Sequence, residues 1–165
     1  MQRVNILKQV DIFAELSGEQ LEKLAAVCQK LTFSGLGKII LQENSPSDEL
    51  FLIVKGSVDI VLDPNLLSSE ADNSPGPITI ATLRPGQTFG EIGLVDRGLR
   101  SASARTSAKT TQLLSISRED LVRLCKKDYE FGYRLMRNIA SDLAFKIRNT
   151  DLMVREQLLW KSRPK

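Results

Sequence analysis

The sequence contains no histidine. That absence removes His-based metal ligation, the Ser-His-Asp arrangement and Cys-His nucleophile pairs together. The commonest general base is therefore missing, although other acid–base chemistry stays open. Cysteine is nearly as scarce. Cys28 and Cys125 stand far apart, make no disulfide framework and cannot complete a zinc site alone. No uninterrupted apolar run is long enough to span a bilayer. The start, Met1-Gln2-Arg3-Val4-Asn5, lacks the apolar core of a secretory signal. These absences predict a soluble, cytoplasmic protein without a membrane anchor or a metal. The net charge of +3 is too small to argue for nucleic-acid binding. A small basic tail, Lys161, Arg163 and Lys165 around Trp160, reads as a solvated, frayed terminus. There is no internal repeat, no P-loop and no recognisable nucleophile–base pair, so the expectation is a non-enzyme.

What is present is ordinary globular composition. The chain has 165 residues, 42% hydrophobic and 26% charged, which suits one domain with a real core plus an appended helix. Val10, Ile12, Phe13 and Leu16, then Leu21, Leu24, Ala25 and Cys28, predict two short helices joined near Leu16-Ser17. Ser17 with Gln20 forms a capping-box signature. From Leu31 to Ser117 short apolar runs alternate with turn residues. Strands are predicted over 30–33, 38–41, 49–54, 57–62, 78–83, 101–107 and 110–116. Strands at this spacing without long intervening helices predict a sandwich or barrel-like jelly roll. The polar insert 63–77 reads as a long mobile hairpin loop. Ser117 is a good N-cap for a following helix, with Asp120 in its acidic first turn. A longer helix is predicted from about Tyr129 to Leu159. Phe131, Leu135, Ile139, Leu143 and Ile147 step by four along it, and Val154 and Leu158 continue the stripe. Such a stripe exceeds what one small roll covers, so homodimerisation along this helix is expected.

The chemistry concentrates in Phe89-Gly90-Glu91-Ile92-Gly93-Leu94 and Arg100-Ser101-Ala102. Gly90 lets a backbone approach a ligand without a side chain in the way. A helical turn begun at 91–94 would aim amide hydrogens at an anion. Ionised Glu91 only accepts hydrogen bonds, which suits a sugar hydroxyl rather than a phosphate. Arg100 offers a planar fork that matches two phosphate oxygens. Ser101 adds a hydroxyl, and Ala102 leaves room against the sheet. A phosphate diester on a ribose would satisfy all of these groups. Without a ligand, Glu91 and Arg100 are expected to pair with each other.

The same residues resemble the phosphate-binding cassette of cyclic-nucleotide-binding domains. This family occurs in bacterial catabolite activators, in regulatory subunits of cAMP-dependent protein kinase and in gated ion channels. The resemblance extends to Gly37-Lys38-Ile39-Ile40, Asp48-Glu49-Leu50-Phe51-Leu52-Ile53, Gly56-Ser57-Val58 and Leu83-Arg84-Pro85-Gly86, and covers about Val10 to Leu152. It implies a mainly β fold with flanking helices, a β jelly-roll (double-stranded β-helix) barrel, short N-terminal helices and a long C-terminal helix. Residues 1–165 would form one such domain, with N-terminal helices over 1–30, the β-roll over 31–117 and C-terminal helices over 118–160. The resemblance implies that Glu91 binds the ribose 2′-hydroxyl and Arg100 the cyclic phosphate, with Gly90, Ser101 and Ala102 completing the pocket. It implies that the terminal helix lids the pocket and, as in the bacterial activator, forms a dimer. Leu143 to Ile147, followed by Asn149, Thr150 and Asp151, resembles the part of that helix that faces the base. Thr150 and Asp151 are the candidates for reading an adenine amino group. Asn44 stands where the family commonly has glycine, Lys38 where it has glutamate, and Leu99 where kinase-type members have proline.

The implied function is a stand-alone regulatory domain that takes cAMP, or cGMP, as its ligand and transmits occupancy through the C-terminal helix to an unknown protein effector. The short tail after that helix is too small for a DNA-binding domain. Two other readings remain: an interaction module with an emptied or plugged pocket, and a sensor of another small anion such as an organic acid or cyclic di-GMP.

Overall fold

The computed structural model describes residues 2–46, 48–64 and 76–161. The chain begins with α1 (Gln2–Leu7), a single turn of 3-10 helix (Asp11–Phe13) and α2 (Gly18–Val27). The capping box forms as expected: Gln20 N–H donates to Ser17 Oγ at 3.2 Å, and Ser17 N–H to Gln20 Oε1 at 2.9 Å. The stretch before it does not become a full helix. Asn138 donates to the Ile12 and Ala14 carbonyls at 3.3 and 2.8 Å, meeting acceptors that an α-helix would have bonded internally. Glu15, at a left-handed φ of 63°, then turns the chain into the Ser17 cap.

Eight strands follow: β1 (Gln29–Ser34), β2 (Ile39–Leu41), β3 (Glu49–Lys55), β4 (Val58–Leu62), β5 (Ile78–Leu83), β6 (Thr88–Phe89), β7 (Ser103–Thr106) and β8 (Thr110–Ser117). They form two antiparallel four-stranded sheets, in the orders β1-β8-β3-β6 and β2-β7-β4-β5. The roll is thus two sheets rather than a closed barrel. β4 and β5 pair in register Leu62↔Ile78, so the two ends of the polar insert come together. Its residues 65–75 lie outside the described residues, as do Arg163 and Lys165 of the tail.

β3 is buried on both faces, which explains its unbroken apolar run. Phe51 and Ile53 join Val58, Phe89, Ala104 and Leu113 in one core cluster. Leu50 and Leu52 point the other way, into a second cluster with Leu114, Ile116 and the helices. Each fully buried aliphatic side chain contributes about 1.5–3 kcal/mol. α4 (Arg118–Lys127) starts at Ser117, whose hydroxyl accepts from Asp120 N–H at 3.1 Å. α5 spans Tyr129–Lys161. Its apolar stripe divides in two. Phe131, Leu135 and Ile139 are buried on the domain, whereas Ile147, Val154 and Leu158 are exposed. α5 is therefore held against the domain over its first half, and the stripe beyond that is exposed.

Candidate functional site

β6 extends the first sheet by two pairs, Phe51↔Phe89 and Leu52↔Thr88, and the Phe51 and Phe89 rings stack with centroids 5.1 Å apart. Gly90 then takes φ +85°, a region that favours glycine, and the chain leaves the strand. Glu91 is the N-cap residue of α3 (Ile92–Asp96), in helical conformation itself. Arg97, at a left-handed φ of 57°, ends that helix. Arg100 is pinned by its own backbone. Its N–H donates to Ser45 O, and its carbonyl accepts from Asn44 N–H, both at 2.9 Å. Asn44 takes φ 63°, a conformation that asparagine tolerates better than most residues. This accounts physically for asparagine where a glycine was expected.

The Arg100 side chain is buried, 5% exposed. Nη1 donates to Gly90 O at 3.3 Å and Nη2 to Glu49 O at 3.0 Å, while the guanidinium carbon lies 5.9 Å from the Phe51 ring centroid. Nε is buried and has no hydrogen-bond partner among the described residues. Burial lowers the pKa of Arg100 below the ordinary arginine value, opposed by the nearby carboxylates of Glu49, Asp48 and Glu91. Glu91 is equally buried, at 4%. It does not pair with Arg100, contrary to the sequence expectation. The arginine fork is spent on two backbone carbonyls, and Glu91 takes its countercharge from α5: Lys146 Nζ donates to Glu91 Oε1 at 2.8 Å. Glu91 Oε2 is buried and without a partner among the described residues. The site therefore offers one unmet acceptor and one unmet cationic donor within a single ten-residue span.

Lys146 is a site residue that the sequence pattern alone does not mark. It also donates to Thr88 O at 3.2 Å and forms an ion pair with Asp142 at 2.8 Å. Burial presses it toward the neutral amine, but Glu91 and Asp142 outweigh burial and raise its pKa above the ordinary lysine value. The spacing from Asp142 to Lys146, one helical turn, is legible in the sequence, but the exposed pair Glu19 and Lys23 shares it, so it does not mark a lysine that turns inward. Among the other candidates, Phe89, Gly93 and Leu94 are buried and Ile92 is exposed. Leu94 N–H donates to Glu91 O at 3.1 Å, which removes it from the amides free to meet an anion. Ser101 is exposed and Ala102 half-buried; both precede β7, whose ladder begins at Ser103. Thr150 spends its hydroxyl on Lys146 O at 3.0 Å, and Asp151 is exposed. No hydrogen bond or ion pair among the described residues links either to Glu91 or Arg100.

Leu94 connects this segment to the helices. It packs in the helical core cluster, and its carbonyl accepts from Arg118 Nε on α4 at 3.4 Å. An open apolar groove of about 410 Å³ lies beside it, lined by Leu121, Cys125 and Tyr133 among others; Glu91 and Arg100 are not part of its wall. Neither thiol is poised as a nucleophile. Burial pushes Cys28 up to about 11 and raises Cys125. Among the described residues no group of three potential ligands could hold a metal ion, and no helix is long and apolar enough to cross a membrane.

Comparison with known proteins matches residues 35–128 to the family model described as cyclic nucleotide-binding domain. The chain is 30% identical to the cGMP-dependent protein kinase, isozyme 1, of Drosophila melanogaster over 76% of its own length and 16% of the kinase. It is also 30% identical to the cyclic AMP receptor protein of Thermus thermophilus, over 88% of its length and 61% of that protein. The chain thus spans less than two thirds of either relative. A crystal structure of a cyclic nucleotide-binding domain from Methylobacillus flagellatus shares the fold at 24% identity, with a TM-score of 0.77 over 99% of this chain and 84% of the other.

Proposed function

The chain belongs to the cyclic nucleotide-binding domain family, and from that premise we propose that it is a regulatory module that binds cAMP in preference to cGMP and passes occupancy on through α5. One observation carries this reading. Glu91 and Arg100 are both buried, do not satisfy each other, and each keeps a polar atom with no partner among the described residues. A cyclic ribonucleotide brings the two missing partners, a 2′-hydroxyl donor for Glu91 and an anionic phosphate for Arg100. The preference for cAMP rests on Thr150 and Asp151 as readers of the adenine amino group and is the finest part of the proposal.

The mechanism is a population shift. A phosphate held by Arg100 orders the turn at 89–94. Leu94 carries that order to α4 and the base of α5 through the core it shares with Leu121 and Phe131. α5 then presents an altered surface to a second copy or to a protein effector, with no bond made or broken in the ligand.

A second reading has one observation in its favour. Lys146 lies against Glu91, as a side chain plugging a disused pocket would. In that case α5 would dock a partner whether or not nucleotide is present. The unmet Glu91 Oε2 and Arg100 Nε weigh against it, since a sealed pocket has no reason to bury them unsatisfied.

Titration calorimetry of cAMP and cGMP against the folded protein, with Arg100→Ala as control, tests the proposal. Saturable binding that the substitution removes supports it, and the tighter ligand settles base preference. Binding of neither nucleotide overturns it in favour of the plugged module.

A further inference from the structure

We propose that Lys146 is a positioning residue of the ligand site, holding Glu91 by Oε1 so that Oε2 is left for a sugar hydroxyl and thereby tying ribose recognition to the placement of α5. The inference rests on the nucleotide reading above.

Lys146 Nζ faces three oxygens: it donates to Glu91 Oε1 at 2.8 Å and to Thr88 O at 3.2 Å, and it forms an ion pair with Asp142 Oδ2 at 2.8 Å. Two belong to the segment at 88–91 and one to α5 itself, so the ammonium is a strut between helix and site. A carboxylate as buried as Glu91 needs a countercharge, and Arg100 is engaged elsewhere. With Oε1 taken by Lys146, the second oxygen stays buried and unmet. An ionised carboxylate accepts from two donors on its two oxygens. A ligand hydroxyl therefore joins Lys146 on Glu91 and does not displace it. This places the contact of α5 with the site at the sugar carboxylate, one turn before Thr150. Linkage makes the effect reciprocal: if α5 holds Glu91 for the ligand, the ligand holds α5.

The test is calorimetry on the full chain with whichever of cAMP and cGMP the wild type binds more tightly, and with its 2′-deoxy analogue. Wild type, Lys146→Met and Lys146→Arg are compared. The expected result is a loss on the order of tenfold for the ribonucleotide in Lys146→Met, a smaller loss for the deoxy analogue, and recovery of the ribose preference in Lys146→Arg. Should Lys146→Met not fold, Asp142→Asn is expected to narrow the same preference. Equal losses for both ligands would reduce Lys146 to a structural role and overturn the inference. So would tighter ribonucleotide binding in Lys146→Met, which marks Lys146 as an obstruction. Wild type that binds neither nucleotide removes the nucleotide reading itself, an outcome distinct from either of these.

Discussion

Gly90 and Arg100 pack so closely that a Cβ on Gly90 would sit 2.6 Å from Arg100 Nη1 and 2.7 Å from Glu49 O. The missing side chain is thus what lets the guanidinium reach two backbone carbonyls at once. Gly90→Ala is expected to cost about 1–2 kcal/mol of stability for the left-handed backbone. It should also force the arginine out of place and weaken nucleotide binding further. Urea unfolding and calorimetry on the same sample separate the two effects. A folded variant with wild-type affinity would show that the arginine's position is irrelevant to binding.

Removing either charged member of the site should give different signatures. Arg100→Ala is expected to cost on the order of 2–5 kcal/mol of nucleotide binding, because it takes away one member of a buried charge pair formed with the phosphate. Glu91→Ala should weaken ribonucleotides and leave a 2′-deoxy analogue almost untouched. Unchanged affinity in the first variant places the pocket elsewhere. Equal losses for both ligands in the second refute a hydroxyl-binding role.

Asp128, between α4 and α5, gives the helical junction a pH dependence. Its carboxylate accepts from Phe131 N–H and Gln20 Nε2, both at 2.9 Å, and these bonds hold its pKa below the ordinary aspartate value of 3.8. Because the folded pKa is depressed, its contribution is fully present above the ordinary value and lost as pH falls through the folded one. Wild type should therefore melt above Asp128→Asn at neutral pH, by a margin that is constant down to about pH 5 and closes at lower pH. Thermal melts of both proteins across that range check this; a margin that widened on acidification would contradict it.

The candidate cassette can be proposed from the sequence because its chemistry is local, but the sequence does not say that its arginine fork is spent on two backbone carbonyls or that Glu91 pairs with a lysine instead. Glu91 and Arg100 are separated by nine positions, and their residue types alone specify an acceptor and a fork. The two caps, at Ser17 and Ser117, were legible for the same reason: each bond closes within three residues. What the sequence hid is tertiary. Lys146 meets Glu91 across 55 positions, and nothing in a helix pattern says which lysine turns inward. β6 is only two residues long, too short for any alternation to reveal. The apolar set from Val10 to Leu16 reads as a helix, but two of the carbonyls within it, those of Ile12 and Ala14, are bonded by Asn138, more than a hundred positions away. The step of four along α5 was plain. Where the stripe leaves the core was not, because that depends on the size of the roll beneath it.

That point of departure makes the last prediction. Ile139 is 1% exposed, yet two turns on Ile147 is 62% exposed, with Val154 at 48% and Leu158 at 60%. Exposed apolar side chains that prolong a buried stripe mark a surface that gains by association. A second α5 supplies a matching stripe with two-fold symmetry. The four-residue step drifts from a strict heptad, so the contact should be limited to a few turns and reversible rather than a long coiled coil. Sedimentation at micromolar concentration should show a monomer–dimer equilibrium, and Ile147→Asp with Val154→Asp should return the protein to monomer while leaving the roll folded. If ligand and dimer each favour the same placement of α5, added nucleotide should shift the equilibrium, and its direction reads the sign of the coupling. Only monomer, with and without nucleotide, would leave the exposed stripe to an effector of another sequence.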